Sequence, residues 1–383
     1  MMNYAKIGDL CTVVSGSTPK SNVPDYWDGD IVWITPAELT EDSYIIDDSV
    51  RHITQKAVQE TSLKPFPVGT VILSSRAPIG KTAIAGREMY CNQGFKNLIC
   101  SSRIYNKYLY FFLSCKTEYL NSLGRGATFK EISKAIVEEI EIPFPDMVAQ
   151  KQIAAKFEQI QGLERAYHKQ ISAFDQLVKS RFVEMFGDEH SFDRWTCMTV
   201  SDVADVTVGV VIQPTQYYCE NGIPAFRSLN VREMCVNDSD WVYFTEDGYA
   251  KNQKSIIREN DVLVVRSGAP GIACVASAKY AGYNAVDIII AHPCLSKINS
   301  VYLAMFTNMP HGMNQIRARI GGAAQQHYNV SGYKAMKLML PPLELQNHFA
   351  AFVAEVDKSK LAVKQSLEKL ETLKKSLMQK YFG

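Results

Sequence analysis

The sequence predicts an α+β protein with two similar mixed α/β domains and two long helices that form an antiparallel coiled coil, related by a pseudo-twofold axis. The length of 383 residues exceeds that of one ordinary domain. Motifs of the first half recur in the second half in the same order. Each half also ends in a stretch whose apolar residues follow a heptad pattern. Together these observations indicate a duplicated chain.

The repetition runs along the whole chain, and the matching segments keep a nearly constant separation. A single match could arise by chance, but several matches in the same order indicate duplication. The matching pairs are residues 9–16 and 202–209, 71–80 and 262–271, 124–127 and 321–324, and 145–187 and 341–383.

Four segments are predicted from this pattern. In both halves, short β-branched or aromatic runs bounded by Gly, Pro and Asp predict strands and turns. The end of each half has helical periodicity instead. The predicted segments are a first globular domain at residues 1–145, a first helix at 146–187, a second globular domain at 191–342 and a second helix at 343–383.

The two predicted helices carry apolar residues at equivalent heptad positions, so each could bury its stripe against the other. Glu164 and Lys360 occupy equivalent seam positions with opposite charge. We expect them near the middle of the helix pair, either joined across it or both reaching solvent from its edge. The predicted seam residues are Ile153, Phe157, Ile160, Ile171 and Phe174 in the first helix, and Phe349, Val353, Val356, Leu367 and Leu370 in the second.

Composition favours a folded protein of the reducing cytoplasm. The nine cysteines are scattered without a Cys-x-x-Cys pair, and the seven histidines lack metal-ligand spacing, so no disulfide framework and no metal site are predicted. There is no apolar run long enough for a membrane span and no signal-peptide pattern at the start. The net charge of +1 argues weakly against nucleic-acid binding, although the arrangement of charge on one face decides this.

No catalytic centre is predicted. Gly80-Lys81-Thr82 resembles the end of a phosphate-binding loop, but Ser75 stands where that loop requires its first glycine. A glycine-rich cofactor loop followed by an Asn-Pro-Pro-aromatic motif, which an amino-methyltransferase needs, is not found. We therefore predict neither catalytic residues nor a cofactor in this chain.

The plan of domain, helix, domain and helix, together with several short motifs, resembles the specificity (S) subunit of Type I restriction–modification enzymes. The resemblance covers essentially the whole chain. The second half departs from it, with Asn-Ala-Val-Asp at 284–287 where the first half has Asn-Gln-Gly-Phe at 92–95. The motifs that carry the resemblance lie at residues 26–36, 76–80, 92–97 and 145–154.

The resemblance implies that each globular part is a target-recognition domain that reads one half of a bipartite double-stranded DNA site. It implies that the helices form a spacer that docks two methyltransferase (M) subunits, which use S-adenosylmethionine to methylate adenine N6. Restriction (R) subunits can join them. The chain itself would then be a non-catalytic subunit for DNA methylation and phage defence, without a membrane partner.

Candidate DNA contacts are side chains that can read base edges or hold phosphates, near glycine-containing loops. An ordinary solvated surface residue is the alternative for each of them, and Trp33 and Trp241 are expected to pack rather than to stack on bases. Arg317 and Arg319 rank highest because they precede the Gly321-Gly322 loop. The candidates are Ser17, Thr18, Lys20, Arg76, Lys81, Asn92, Gln93, Lys96, Arg125, Thr128 and Lys130 in the first domain, and Arg227, Arg232, Arg266, Ser267, Arg317, Arg319, Gln325, Gln326 and Asn329 in the second.

Three alternative functions remain open at this point. A stand-alone two-domain DNA-binding regulator would bind its site tightly without a partner. An enzyme with an unrecognised active site would show methylation activity as a purified chain. A coiled-coil scaffold without DNA binding is disfavoured because most residues lie in the globular halves.

Overall fold

The computed structural model describes residues 3–61, 63–126, 130–320 and 327–383. They form two compact units, and each unit draws on both long helices. The first unit takes in the chain up to His168 together with Gln365–Gly383, and the second is Lys169–Lys364. The compact units therefore divide the chain differently from the four predicted segments, because each helix packs partly in one unit and partly in the other.

The first half of the chain contains ten strands and six helices among its described residues. The strands are β1 (Tyr4–Lys6), β2 (Cys11–Ser15), β3 (Trp27–Ile34), β4 (Ile45–Ile46), β5 (His52–Ile53), β6 (Val71–Ser74), β7 (Thr82–Ala85), β8 (Tyr90–Cys91), β9 (Phe95–Cys100) and β10 (Glu141–Pro143). The helices are α1 (Ile7–Leu10), α2 (Gln55–Glu60), α3 (Asn106–Ser114), α4 (Thr117–Leu123), α5 (Lys134–Glu138) and α6 (Met147–Phe186).

The second half, as far as it is described, contains twelve strands and six helices. The strands are β11 (Thr196–Thr199), β12 (Ala204–Val208), β13 (Tyr218–Cys219), β14 (Ile223–Phe226), β15 (Val231–Arg232), β16 (Cys235–Val236), β17 (Val242–Phe244), β18 (Val262–Val265), β19 (Ala273–Val275), β20 (Asn284–Ala285), β21 (Ile288–Pro293) and β22 (Lys337–Leu340). The helices are α7 (Val200–Val203), α8 (Glu246–Lys251), α9 (Ser300–Asn308), α10 (Pro310–Arg317), α11 (Val330–Lys334) and α12 (Leu343–Phe382).

The two halves share the central part of their sheet topology, and each half adds an edge strand that the other lacks in the part of the chain that the structure describes. The main sheet has the order β2-β9-β6-β7-β4 in the first unit and β12-β21-β18-β19 in the second. A smaller sheet has the order β5-β3-β8 in the first unit, matched by β17-β14-β20 within the second. The two-stranded pair β1-β10 likewise corresponds to β11-β22. The fold therefore confirms that the chain contains two similar mixed α/β domains.

A buried glutamine ties the start of each long helix to its globular part. The side chain of Gln150 accepts a hydrogen bond from Tyr105 N at 2.8 Å and donates to Pro145 O at 2.9 Å. Gln346 accepts from Asn299 N at 2.9 Å and donates to the carbonyl of the proline five residues before it. The repeated Pro…Gln motif is thus explained, because each buried amide satisfies backbone groups at the helix start.

In the first unit, residues 147–168 of α6 run antiparallel to residues 365–382 of α12. Phe157 stacks on Phe382 with a ring-centroid distance of 5.6 Å, and Phe382 also contacts Tyr108 at 5.3 Å. About two helical turns further along α6, Glu164 forms an ion pair with Lys374 at 2.8 Å. The C-terminal helix thus completes the core of the first unit.

In the second unit, residues 169–186 of α6 run antiparallel to residues 343–364 of α12. Phe182 contacts Phe349 with a ring-centroid distance of 5.4 Å and stacks on Tyr302 at 5.6 Å. Lys360 forms an ion pair with Asp175. The predicted antiparallel pairing of the long helices is therefore confirmed within each unit.

All ten predicted seam residues are buried or half-buried, and Phe182, Phe186 and Phe382 widen the stripe beyond the predicted seam. Glu164 and Lys360 do not pair with each other, and both lie in ion pairs with other residues instead of extending alone into solvent, so neither alternative is found. The helix register brings Glu164 against Lys374 and Lys360 against Asp175, so each charge finds a different partner. Apolar periodicity fixes which face of a helix is buried, but it does not fix which residues of the partner lie opposite.

No helix among the described residues is both long and apolar enough to cross a lipid bilayer.

Candidate nucleic-acid interface

Four loops meet at one edge of the first unit, where β2, β6 and β8 end. Ser17 N donates to Cys91 O at 3.0 Å, and Ser75 N donates to Gly94 O at 2.8 Å. Ile132 N donates to the carbonyl of Ser75 at 3.0 Å. We call this loop cluster the first polar edge; it comprises residues 16–20, 75–81 and 92–96, and the described residues of the fourth loop, 125–126 and 130–131.

Gly16 allows two of these loops to approach each other closely. A Cβ atom on Gly16 would lie 2.2 Å from Cys91 O and 2.3 Å from Asn92 O, closer than a side chain can be accommodated. Cys91 itself is buried, and this burial raises the pKa of its thiol to about 12, so it stays neutral. Glycine at this position therefore fixes the loop that follows β8 against the loop that follows β2.

The first polar edge presents amide and hydroxyl groups that could read base edges. Thr18 donates a hydrogen bond to the side chain of Gln93, and both residues are exposed. The side chain of Asn92 accepts from Gly94 N at 2.8 Å, which orders the same loop. Ser17 is held through its carbonyl by Trp33 Nε1 at 3.0 Å, so Trp33 packs as predicted.

A charged cluster lies beside these groups. Lys96 is only 6% exposed, and its Nζ lies 3.0 Å from Glu131 Oε1 and 3.4 Å from Ser75 Oγ. Arg76 Nη1 lies 4.0 Å from Glu131 Oε2. Sequence reasoning expected Lys96 at the surface as a DNA contact. The structure instead buries it on β9, on the inner side of this cluster. The carboxylate of Glu131 was not among the candidates.

The remaining candidates of the first domain are distributed around the edge. Lys20 and Lys130 are exposed, and Arg125 is exposed while its backbone pairs with that of Glu131. The ammonium group of Lys81 donates to the carbonyl of Leu39. Thr128 lies outside the described residues.

The second unit has an equivalent edge that repeats backbone hydrogen bonds of the first. Tyr328 N donates to Arg266 O at 2.9 Å, as Ile132 does to Ser75 in the first unit. Val286 N donates to Phe226 O at 2.8 Å, as Asn92 does to Ile34. We call this cluster the second polar edge; it comprises residues 226–227, 266–268, 286–287 and 327–329.

The second polar edge holds a different set of polar side chains. Arg266 Nη1 donates to Asp287 Oδ1 at 2.6 Å, and Ser267 Oγ donates to Asp287 Oδ2 at 2.6 Å. Since that hydroxyl donates its one hydrogen to the carboxylate, His327 Nδ1 donates to Ser267 Oγ, at 2.7 Å. Sequence reasoning missed Asp287 and His327. The matched hydrogen bonds also correct the sequence match of 284–287 with 92–95 by two residues, so that Asp287 is equivalent to Gln93.

Other candidates of the second domain are engaged with backbone carbonyls. The guanidinium of Arg227 donates to Asp240 O, and Arg319 Nη1 donates to Gly332 O at 2.7 Å. The side chain of Asn329 caps α11 by accepting from the same glycine's N–H at 2.6 Å. Arg317 is exposed. Gln325 and Gln326 lie outside the described residues.

Arg232 is not part of the second polar edge. It is exposed on β15 and lines a concavity of the second unit together with Asp175 of α6 and Asp357 of α12. Burial raises the pKa of Asp357. Among the residues that the structure describes, no three His, Cys, Asp or Glu side chains come together as metal ligands.

The chain contains two copies of one fold, and each copy has a polar loop edge of its own chemistry. A family comparison identifies this class of protein as a DNA-specificity protein. The sequence model of the Type I restriction modification DNA specificity domain matches residues 2–173 and again residues 193–373. The chain belongs to this family. It is the specificity subunit of a Type I restriction–modification system, as its sequence motifs predicted.

Curated relatives carry the same description. The chain is 28% identical over 399 residues to the Type I restriction enzyme MjaIX specificity subunit of Methanocaldococcus jannaschii, with 98% of this chain and 91% of the relative covered. It is 22% identical over 424 residues to the StySPI specificity subunit of Salmonella potsdam, with 99% and 88% covered.

Solved structures show the same fold at low sequence identity. The S subunit of a Type I restriction–modification system from M. genitalium gives a TM-score of 0.57 at 14% identity, with 100% of this chain and 96% of that chain covered. A chain from a study of complex assembly and conformational transition of the type I R-M system gives 0.63 at 16% identity, with 99% and 97% covered.

Proposed function

We propose that this specificity subunit recognises a bipartite double-stranded DNA site, with one half-site for each recognition domain. Partner subunits then methylate adenine N6 at that site or restrict DNA that lacks the methylation. The chain contributes recognition and no catalysis of its own.

One observation carries the proposal: the two polar edges share backbone hydrogen bonds at equivalent positions, whereas their side chains differ. Ser75 and Arg266 occupy equivalent positions, and so do Glu131 and His327, since the backbone hydrogen bonds around them match. Phosphate contacts place a protein on DNA, but base-edge contacts distinguish sequences. A kept scaffold with changed polar side chains supports the reading of two different half-sites.

The long helices support a fixed gap between the half-sites. α6 and α12 each have 40 residues, and each contributes to both compact units. Forty residues of α-helix span roughly 60 Å. In this proposal the helix pair sets the separation of the two readers, so that only half-sites with a matching gap can be bound together.

The catalytic groups belong to partners in this proposal. Two methyltransferase (M) subunits dock on the subunit and bind S-adenosylmethionine, and restriction (R) subunits can join them. The cofactor supplies the methyl group within the M subunits, and this chain directs the methyl transfer to particular adenines.

Genome-wide mapping of N6-methyladenine tests the proposal directly. Cells that express the partner M subunit are compared with and without this chain. We expect one split motif to be methylated with the chain and unmethylated without it. Unchanged methylation while the M subunit is present would contradict the proposed function.

A further inference from the structure

We propose that Arg266 reads a guanine in the second half-site and that Asp287 is the positioning residue that holds it for this contact. This inference rests on the proposed function, because it assigns a base to one residue of the second polar edge.

The guanidinium of Arg266 is held on one side only. Its Nη1 donates to Asp287 Oδ1 at 2.6 Å, while its Nε is buried without a hydrogen-bond partner among the described residues. The side chain of Arg266 is 22% exposed, so it borders both the protein and solvent. A guanidinium is planar, so the bond from Nη1 and the burial of Nε orient the whole group, and the N–H donors left for a ligand are those of Nη1 and Nη2.

Asp287 is itself fixed, and each of its carboxylate oxygens accepts a hydrogen bond. Its Oδ2 accepts from Ser267 Oγ at 2.6 Å, and its backbone N–H donates to Val210 O at 3.1 Å. Its φ of 50° lies in the left-handed region, which Asp and Asn tolerate better than most residues. Because each oxygen of Asp287 already accepts a hydrogen bond from a neighbouring side chain, we assign Asp287 the role of positioning Arg266.

Guanine is the base that matches this fork. In the major groove it presents two acceptors, N7 and O6, whereas adenine presents one acceptor and one donor, thymine one acceptor and cytosine a donor. The carboxylate of Asp287 offsets the charge of Arg266, so Arg266 is attracted less strongly to a DNA phosphate. The N–H donors of Arg266 that do not contact Asp287 remain available. The arrangement therefore favours base reading over backbone contact.

The first unit does not repeat this arrangement. The position equivalent to Arg266 is the fully buried Ser75, and the nearest arginine, Arg76, lies 4.0 Å from Glu131. The carboxylate there comes from a different loop and is also bound by Lys96 at 3.0 Å. The proposed contact is therefore specific to the second half-site.

The test is a comparison of methylation motifs. Wild type, Arg266→Lys and Asp287→Asn are each expressed with the partner M subunit in a host without adenine methylation. Lysine keeps the charge but loses the fork, and asparagine tolerates the same backbone. We expect one guanine of the second half-site to become degenerate in both variants, with discrimination reduced about tenfold to a hundredfold. The first half-site and the gap should not change.

The matched control is Arg258→Lys. Arg258 is exposed and precedes β18, whereas Arg266 follows that strand, so the control changes the same residue type at the other end. Its motif should equal that of wild type. A wild-type motif in the Arg266→Lys cells would overturn the inference. No split motif in the wild type itself would instead contradict the proposed function.

A second measurement covers variants that fail to fold. The wild-type complex is bound to duplexes in which each guanine of the second half-site is replaced in turn by 7-deazaguanine, which lacks the N7 acceptor. We expect one replacement to weaken binding about tenfold. Equal binding for every replacement would overturn the inference without any protein variant.

Discussion

Glu164 shows how a single seam residue is stabilised by the facing helix. Its two carboxylate oxygens lie 2.8 and 3.0 Å from Lys374 Nζ. The side chains are only 16% and 28% exposed, so the pair is largely removed from water. Removing one partner of such a pair leaves a poorly solvated charge.

Glu164→Gln should therefore lower the free energy of unfolding by about 1–3 kcal/mol, less than for a fully buried pair because some solvent remains. Chemical denaturation of both proteins measures this. The control is Glu184→Gln, since Glu184 pairs with Arg181 but is 67% exposed. That change should cost about 0–1 kcal/mol. Equal losses for the two variants would contradict the assignment.

His311 is a buried titratable residue of the second unit. It is 1% exposed, and its Nε2 lies 3.2 Å from Gly187 O. Burial among Phe182 and other rings lowers its pKa, and this outweighs the opposing effect of Asp188 and Glu189. The neutral imidazole is therefore favoured in the folded protein.

The sign of the pH dependence follows. The unfolded chain binds a proton to His311 more readily, so the stabilisation is fully present above about pH 6.5 and is lost as pH falls below it. We expect His311→Gln to lose less thermal stability than wild type between neutral pH and mildly acidic pH. Thermal unfolding at several pH values measures this; parallel curves for the two proteins would contradict it.

At the scale of single elements, substitution by alanine is expected to have opposite effects on stability at two glycine positions. Gly16 lies where a Cβ would meet two backbone oxygens, whereas nothing lies within 4 Å of the corresponding atom on Gly162 in α6. Gly16→Ala should lower stability by about 1–3 kcal/mol through overpacking. Gly162→Ala should raise it by about 0.5–1 kcal/mol, because glycine weakens a helix interior.

Calorimetric or denaturant unfolding of both variants checks this pair. Gly16→Ala should also loosen recognition of the first half-site only, since it separates the loops after β2 and β8. A Gly16→Ala protein with wild-type stability and motif would show that the close approach at the first polar edge is not required.

The elements were more predictable from sequence than their contacts. The seam of α6 and α12 was predictable because a buried helix face repeats its apolar residues with a fixed period. The partner of Glu164 was not, because register depends on the facing helix. Asp287 was missed because a carboxylate gains its role from Arg266, which is near it in space but not in sequence. The DNA contacts predicted from the sequence stay predictions.

At the scale of the whole molecule, neither half of the chain is a separate unit, because each long helix contributes to both. The first unit is completed by Phe382 and its neighbours from the end of the chain, and the second contains the C-terminal half of α6. Each long helix is thus a continuous covalent connection through both units. Under the proposed function, the length of the two helices determines the gap between the half-sites.

The most direct measurement of this claim is the gap of the methylated motif after both helices are lengthened. Seven residues are inserted after Ile171 and seven after Leu367, which are equivalent seam positions. This keeps the heptad phase and adds about 10.5 Å, or about three base pairs. A seven-residue insertion after the exposed His190, outside the helices, is the control. We expect unchanged half-sites with a gap longer by about three base pairs in the first variant only. An active variant with lengthened helices and the original gap would contradict this claim.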